Sequence, residues 1–214
     1  MWIPPLPRAL QWDHNAYYHR WLLDQIPRHG GRMLDVGCGH GVLARHLSER
    51  ADHVDAIDAS PDMIDQAKNL SPSQANIRWI LGDVLQADLH PDGYDVVTAV
   101  SSLHHLPLRE GLQRLAGLVR PNGVLVVIGH SQGATPADRA LEVVNLAGNA
   151  AMGAYLAVRG RAGKPHDDGM PIKEPSDTLA EIQQEAAAQM PGVRIRRRLY
   201  WRYSLLWRRP GGTY

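Results

Sequence analysis

The sequence has no phenylalanine and only one cysteine, Cys38, in 214 residues. A single cysteine excludes an internal disulfide, and the expectation is a protein of a reducing, cytoplasmic compartment. The missing phenylalanine is attributed to coding bias, not chemistry. No apolar run reaches the roughly 18 to 20 residues that a membrane span needs. The N-terminal "MWIPPLPRAL" carries prolines where a signal peptide needs an unbroken apolar block, so no export signal is expected. Acid is also missing from one region. From Met190 to Tyr214 there are seven arginines (194, 196, 197, 198, 202, 208 and 209) and no Asp or Glu. The whole chain carries +1, so the preceding body is net acidic and the tail basic.

What is present is a soluble balance of 44% hydrophobic and 21% charged residues, enough for one globular domain with a sizeable insertion. Short apolar runs alternate with helix-period runs. Strands are expected at 32–36, 53–57, 77–81, 95–100 and 123–128, and helices at 41–50, 61–69 and 108–119. "GVLVVI" is β-branched and almost purely apolar, as suits a strand buried on both faces of a parallel sheet. Ser60-Pro61 supplies an N-cap and an N1 proline. "RPNG", Arg120 to Gly123, is expected to end the third helix and turn the chain into a strand. This repetition argues for a Rossmann-like, doubly wound α/β sheet.

After Ile128 the rhythm breaks. Thr135-Pro136 starts a long helix-like run to Arg159, and a loop rich in Gly, Pro and charge follows at 160–176. A second helix at about 178–189 opens with Thr178 and Glu181 at capping-box spacing. The segment is too long for a simple connection and reads as a helical insertion after the fifth strand, over the sheet's C-terminal edge. Two Arg-rich strands near 193–199 and 203–208, linked by the short "YWR", imply a closing antiparallel hairpin.

The stretch "MLDVGCGHGVLARHL" runs from a strand through Gly37, Gly39 and Gly41 into a helix. Glycines there let the backbone turn tightly and approach a ligand. A G-x-G turn alone also ends many strands with no ligand at all, so context must decide. Asp58 ends the second strand about 20 residues on, where a carboxylate accepts both ribose hydroxyls. The spacing is G-x-G-x-G, and Val42 stands where dinucleotide packing asks for Gly or Ala. Asp35, just before the turn, would repel a pyrophosphate but support a cationic amino-acid group. Asp83, after the third strand, is placed to meet an adenine amino group.

At this point "MLDVGCGHG", "AIDASPDMI", "GDV", "YDVVTAVSSLHHL" and "LVRPNGVLVVIG" resemble, in order, the motifs of class I S-adenosylmethionine-dependent methyltransferases. The nearest likeness is to the small-molecule subgroup around the ubiquinone/menaquinone C-methyltransferases, over residues 30–130. The resemblance implies a seven-stranded sheet with an antiparallel last strand, S-adenosylmethionine as cofactor and S-adenosylhomocysteine as product. It implies that Gly37, Cys38 and Gly39 line the methionyl part, with Asp35 supporting that end. It places Asp58 on the ribose, Ala59 and Met63 beside the adenine, Asp83 and Val84 on the adenine edge, and Ala99 near the sulfonium. His40 departs from the small or acidic residue common there. The organisation expected is one domain, 1–214: an N-terminal lid helix (1–30), a cofactor-binding core (31–130), a helical substrate cap (131–190) and a C-terminal β-hairpin (191–214).

"SSLHHL", Ser101 to Leu106, follows the fourth strand at the mouth of the cleft. His104 and His105 are the candidate general bases, since imidazole titrates near neutral pH, and His130, after the fifth strand, is a third. In "WDHNAYYHRWLL", Tyr17, Tyr18 and His19 are candidates for contact with the methionyl carboxylate or the acceptor, whereas Trp21 and Leu22 read as packing. Met152 and Tyr155, on the long helix, are candidates to roof the acceptor. The histidines 14, 19 and 29 form no convincing metal set with any carboxylate, so no metal is expected. The main reading is methyl transfer from S-adenosylmethionine to a small organic acceptor at O, N or C, by a monomer or homodimer. Two alternatives stay open. One is a tRNA or other RNA methyltransferase that grips phosphate with the arginine tail. The other is an S-adenosylmethionine-binding protein without methyl transfer.

Overall fold

The computed structural model describes residues 10–71, 76–133, 136–160 and 173–211. Most of the expected loop at 160–176, and the proline-bearing N-terminus, lie outside the described residues. Seven strands form one sheet: β1 Arg32–Val36, β2 His53–Asp58, β3 Ile77–Leu81, β4 Tyr94–Val100, β5 Val119–Gly129, β6 Arg194–Arg197 and β7 Tyr203–Arg208. Six helices accompany it: α1 His14–Leu23, α2 Val42–Ser48, α3 Pro61–Asn69, α4 Leu108–Leu118, α5 Pro136–Val158 and α6 Leu179–Gln189. The strand order is β3-β2-β1-β4-β5-β7-β6. β1 to β5 are parallel, and β7 lies antiparallel to both β5 and β6. Chain order therefore reverses between β1 and β4. This is the switch point where crossovers depart to opposite faces and a crevice opens at the strands' C-terminal ends.

Each strand sends alternate side chains to opposite faces. Leu34, Val36, Val97, Leu125, Val127 and Leu205 pack under α4 and α6, against Leu112, Leu115, Ile182 and Ala186. Met33, Val54, Ala56, Val96, Val124 and Val126 pack on the other face, against Leu22 of α1 and Leu43, Ala44 and Leu47 of α2. Asp35 shares the second face with Met33, so a carboxylate sits in an otherwise apolar layer. Asp55, also buried in β2, is saturated: Arg78 Nε and Nη2 donate to it at 2.8 and 2.9 Å, and Tyr94 OH at 2.7 Å.

The helix ends follow the sequence signals. Ser60 Oγ accepts from Met63 N (3.4 Å), with Pro61 opening α3. Thr178 and Glu181 close a complete capping box on α6. Asp13 caps α1, its Oδ1 accepting from Asn15 N and Ala16 N.

Two expectations need correction. β5 begins at Val119, not at 123, and "RPNG" is looped out of it: Tyr94 pairs with Val119, but Val96 pairs with Val124. Asn122 takes the left-handed conformation (φ 65°) that closes the loop. The first helix after the glycine turn starts at Val42 and ends at Ser48, shorter than 41–50, because Gly41 at φ 82° has not entered helical geometry.

Candidate active site

The glycine turn is closed by its own hydrogen bonds. Gly37 N and Cys38 N both donate to Ile57 O, at 2.8 and 3.0 Å. Gly39 N donates to Asp58 Oδ2 at 2.8 Å, and Ser60 N to Asp58 Oδ1 at 2.9 Å. Asp58 thus ties the turn to the end of β2. Each of its oxygens accepts one bond from the protein and keeps a further lone pair. Three successive N–H groups of the turn are consumed in this way. A phosphate cradle works through unpaired backbone N–H groups, and this turn has spent those of residues 37 to 39. Glycine at 37 is required on two counts: φ is 69°, and a Cβ would stand 2.3 Å from Ser102 Cβ.

The cavity, about 370 Å³, opens at the switch point. Its floor combines Asp35, Gly37, Cys38 and Gly39; one end has Asp58, Ala59, Met63, Asp83 and Val84; the other has Ser101, Ser102, His105 and Leu106. Asp13, Asn15 and His19 of the N-terminal segment close it from above. Asp35 is buried; Thr98 Oγ1 donates to its Oδ1 at 2.8 Å, and the Ala44 backbone N–H acts on the carboxylate as well. Its Oδ2 is buried with no hydrogen-bond partner. Burial, with a smaller push from Asp58, raises its carboxyl pKa to about 7, although the Thr98 bond opposes this. The Cys38 thiol is driven far up by burial, with Asp35 and Asp58 adding to the shift, so it stays a neutral small residue.

Of the sequence candidates, Asp35, Gly37, Cys38, Gly39, Asp58, Ala59, Met63, Asp83, Val84, His19 and His105 line this cavity. His40, set aside in the sequence, also lines it. Others are placed elsewhere. Ala99 packs into the core face under α4, and its neighbour Val100 borders the cavity instead, because alternation turns only one of the two toward it. Tyr18 OH donates to Leu199 O at 2.7 Å, and Tyr17 packs edge-on to Tyr200 with ring centroids 5.2 Å apart; neither lines the cavity. Met152 and Tyr155 are corrected likewise: no described residue of 136–160 lines it. α5 is instead fastened to α1 and the hairpin tip. Trp12 Nε1 donates to Asn149 Oδ1 at 2.8 Å, and Tyr200 N to Asn145 Oδ1 at 2.9 Å. Tyr155 faces outward beneath the Arg159 guanidinium.

The three histidines at the Ser101 end of the cavity are graded by depth. His105 lines the cavity; burial and Lys173 lower its pKa. His104 lies behind it, centroids 4.3 Å apart, and is lowered to about 4 by burial first and then by His105. His130 lies 5.0 Å beyond His104 and is lowered to about 2, by burial and then Arg202. Both of its nitrogens are engaged. Arg202 Nη1, which can only donate, bonds Nδ1 at 3.1 Å, so the proton sits on Nε2 and is donated to Ser101 Oγ at 3.1 Å. Ser101 Oγ in turn donates to Asn15 Oδ1 at 2.7 Å, and Arg202 Nη2 bonds the same oxygen at 3.0 Å. Asn15 and Asp13 carry no motif, and only the contact of α1 with the ends of β4 and β5 brings them to the site, where Ser101 follows directly from β4.

Four of the seven tail arginines are engaged by other parts of the chain, while Arg194, Arg196 and Arg197 are exposed. Arg198 lies over Trp21 and donates to Ser204, Arg202 joins His130 and Asn15, Arg208 bonds Gln25 O, and Arg209 pairs with Asp92. No described helix is long and apolar enough to cross a membrane. Among the described residues, no group of His, Cys, Asp or Glu has the arrangement of a metal site.

A Rossmann-like sheet with a reversed β7, and a closed glycine turn tied to the Asp58 carboxylate at the switch point, define a class. Residues 33–123 match the family model described as "Methyltransferase domain". The chain belongs to this family of methyltransferases. It is 35% identical over 201 residues to an uncharacterized methyltransferase of Mycobacterium tuberculosis, covering 93% of this chain and 98% of that one. It is 32% identical over 108 residues to a ubiquinone biosynthesis O-methyltransferase of Coxiella burnetii, covering 50% of this chain and 46% of the relative. Among solved structures, the fold is similar to phosphoethanolamine N-methyltransferase 2 of Haemonchus contortus in complex with S-adenosyl-L-methionine. The TM-score there is 0.58 at 20% identity, over 86% of this chain and 38% of the other.

Proposed function

We propose that the chain transfers a methyl group from S-adenosylmethionine to a small organic acceptor entering beside His105. The observation that carries this reading is Asp35: a buried carboxylate with one orphaned oxygen, in a cavity whose glycine turn has no N–H left at residues 37 to 39. That floor disfavours a phosphate and favours a cation, as the ammonium and sulfonium of the cofactor require.

When bound, S-adenosylmethionine supplies a methyl carbon activated by a positive sulfur. Asp58 holds the ribose diol with the lone pairs left on its two oxygens. Asp83 and Val84 take the adenine edge, between Ala59 and Met63. Asp35 balances the ammonium, and His19 and Asn15 close over the methionyl end. His105, unprotonated at neutral pH, accepts a proton from an acceptor that must lose one. Alignment of the acceptor in line with the methyl group contributes up to about 7 kcal/mol or more. His104 and His130 support His105 and Ser101 from behind.

The test is a screen of acceptors with S-adenosylmethionine, reading S-adenosylhomocysteine, beside calorimetry with S-adenosylhomocysteine and NAD. Cofactor binding with turnover on some acceptor is the expected outcome. Binding without product across a broad library supports a non-catalytic protein. Turnover confined to RNA supports the RNA reading, which the internal engagement of Arg198, Arg202, Arg208 and Arg209 disfavours.

A further inference from the structure

We propose that the acceptor end of the cavity is built to receive an anionic group, so that the methyl acceptor is a small molecule bearing a carboxylate or a phosphate. This rests on the methyl-transfer reading and specifies its substrate class.

The wall at His105 is lined by Asn15, Ser101 and Ser102, and two cations, Lys173 and Arg202, stand behind it. Lys173 Nζ donates to His105 O at 3.3 Å. His104 lies tilted against His105, and His130 edge-on to His104. Arg202 stands behind His130 and Asn15. None of the ion pairs among the described residues involves Arg202 or Lys173. Arg202 donates only to neutral atoms: His130 Nδ1, Asn15 Oδ1 and Tyr200 O. Its Nε is buried without a partner, as is Nδ1 of His104. The acids facing this group are few: Asp13 acts on Arg202 at a distance, and Asp58 faces His105.

A guanidinium withdrawn from water without a carboxylate is costly, and the cost falls when an anion arrives. The hydrogen-bond directions agree. Asn15 Oδ1 is occupied by Ser101 Oγ and Arg202 Nη2, so Asn15 has only its amide N–H groups left to offer a ligand. Ser101 Oγ already accepts from His130 and donates to Asn15. A neutral acceptor would leave the buried Arg202 guanidinium behind this wall uncompensated.

The test uses the whole chain saturated with S-adenosylhomocysteine and follows the histidine-ring NMR resonances. Benzoate, phenyl phosphate and neutral benzamide are titrated in turn. At least one anion is expected to bind about tenfold or more tightly than benzamide, the scale of a charge-assisted hydrogen bond. Whichever of benzoate and phenyl phosphate is stronger identifies the source. Lys173→Met and Arg202→Met are each expected to weaken the anion by about threefold or more and leave benzamide unchanged. Lys173 is exposed, so its variant carries the test even if Arg202→Met unfolds. Benzamide matching the anions, no ring response to either anion, or anion affinity unchanged in Lys173→Met overturns the proposal. If S-adenosylhomocysteine itself does not bind, the methyl-transfer reading fails, and the same titration of the unloaded chain still judges the anion site.

Discussion

Replacing Asp58 by alanine separates cofactor recognition from folding. Two roles meet in this side chain. Its oxygens accept from Gly39 N at 2.8 Å and Ser60 N at 2.9 Å, and their remaining lone pairs face a cavity sized for a nucleoside. Two ribose hydroxyls donating to a carboxylate contribute about 1.5 kcal/mol each at the low end of charge-assisted bonds, or about 3 kcal/mol together. That corresponds to about 150-fold in the dissociation constant for S-adenosylhomocysteine, measured by calorimetry. The lost tie to the glycine turn adds a stability cost of about 1 to 3 kcal/mol, read separately from urea unfolding. The two effects part company with an analogue lacking the ribose hydroxyls. It should bind the wild type as weakly as the natural ligand binds the variant, and lose little more in Asp58→Ala. Affinity for S-adenosylhomocysteine within about threefold of wild type, in a folded variant, would refute the ribose assignment.

Asp35, with its pKa raised to about 7, gives a pH signature. An unfolded carboxyl titrates near about 4, so between about pH 4 and pH 7 the folded state binds more protons and its stability falls as pH rises. Asp35→Asn should abolish that fall in denaturant midpoints. A cationic ligand prefers the ionised carboxylate, so S-adenosylmethionine should bind more tightly as pH rises from about 5.5 to about 7.5, and Asp35→Asn should bind weakly with a flat profile. A flat wild-type profile counts against the ammonium partner. Gly37→Ala should cost about 2 kcal/mol or more in thermal unfolding and abolish S-adenosylhomocysteine binding, because the added carbon meets Ser102 Cβ at 2.3 Å with φ at 69°. Asn149→Ala removes the oxygen shared by Trp12 Nε1 and His14 Nε2 and leaves the indole only its 3.4 Å bond to the Asn149 carbonyl, at a cost of about 1 kcal/mol. Amide exchange over His14–Leu23 should accelerate while exchange in β1 and β4 does not; unchanged exchange in α1 would show that the Asn149 contact does not hold it.

The sequence by itself determined the parts governed by near neighbours. β1, β3 and α3 lie at the expected residues, because five-residue apolar runs and an N-cap followed by proline are decided within a turn or a strand. The capping box of α6 was legible for the same reason. The carboxylates and the glycine turn that edge the cavity were legible because a strand's last residue at the switch point must face the crevice. Tertiary structure decided the rest. Asp13 and Asn15 reach the cavity only because α1 packs across the ends of β4 and β5, far away in the chain. Tyr17 and Tyr18 meet Tyr200 and Leu199 of the distant hairpin instead, and Tyr155 lies exposed beneath Arg159 on an α5 that Asn145 and Asn149 pin to Tyr200 and Trp12. His130, plausible as a base from its place after β5, becomes a fixed neutral relay once Arg202 from the distant hairpin meets its Nδ1. Local order sets where a side chain begins; the partners that fix its protonation and direction come from other elements, and one-dimensional spacing holds no record of them.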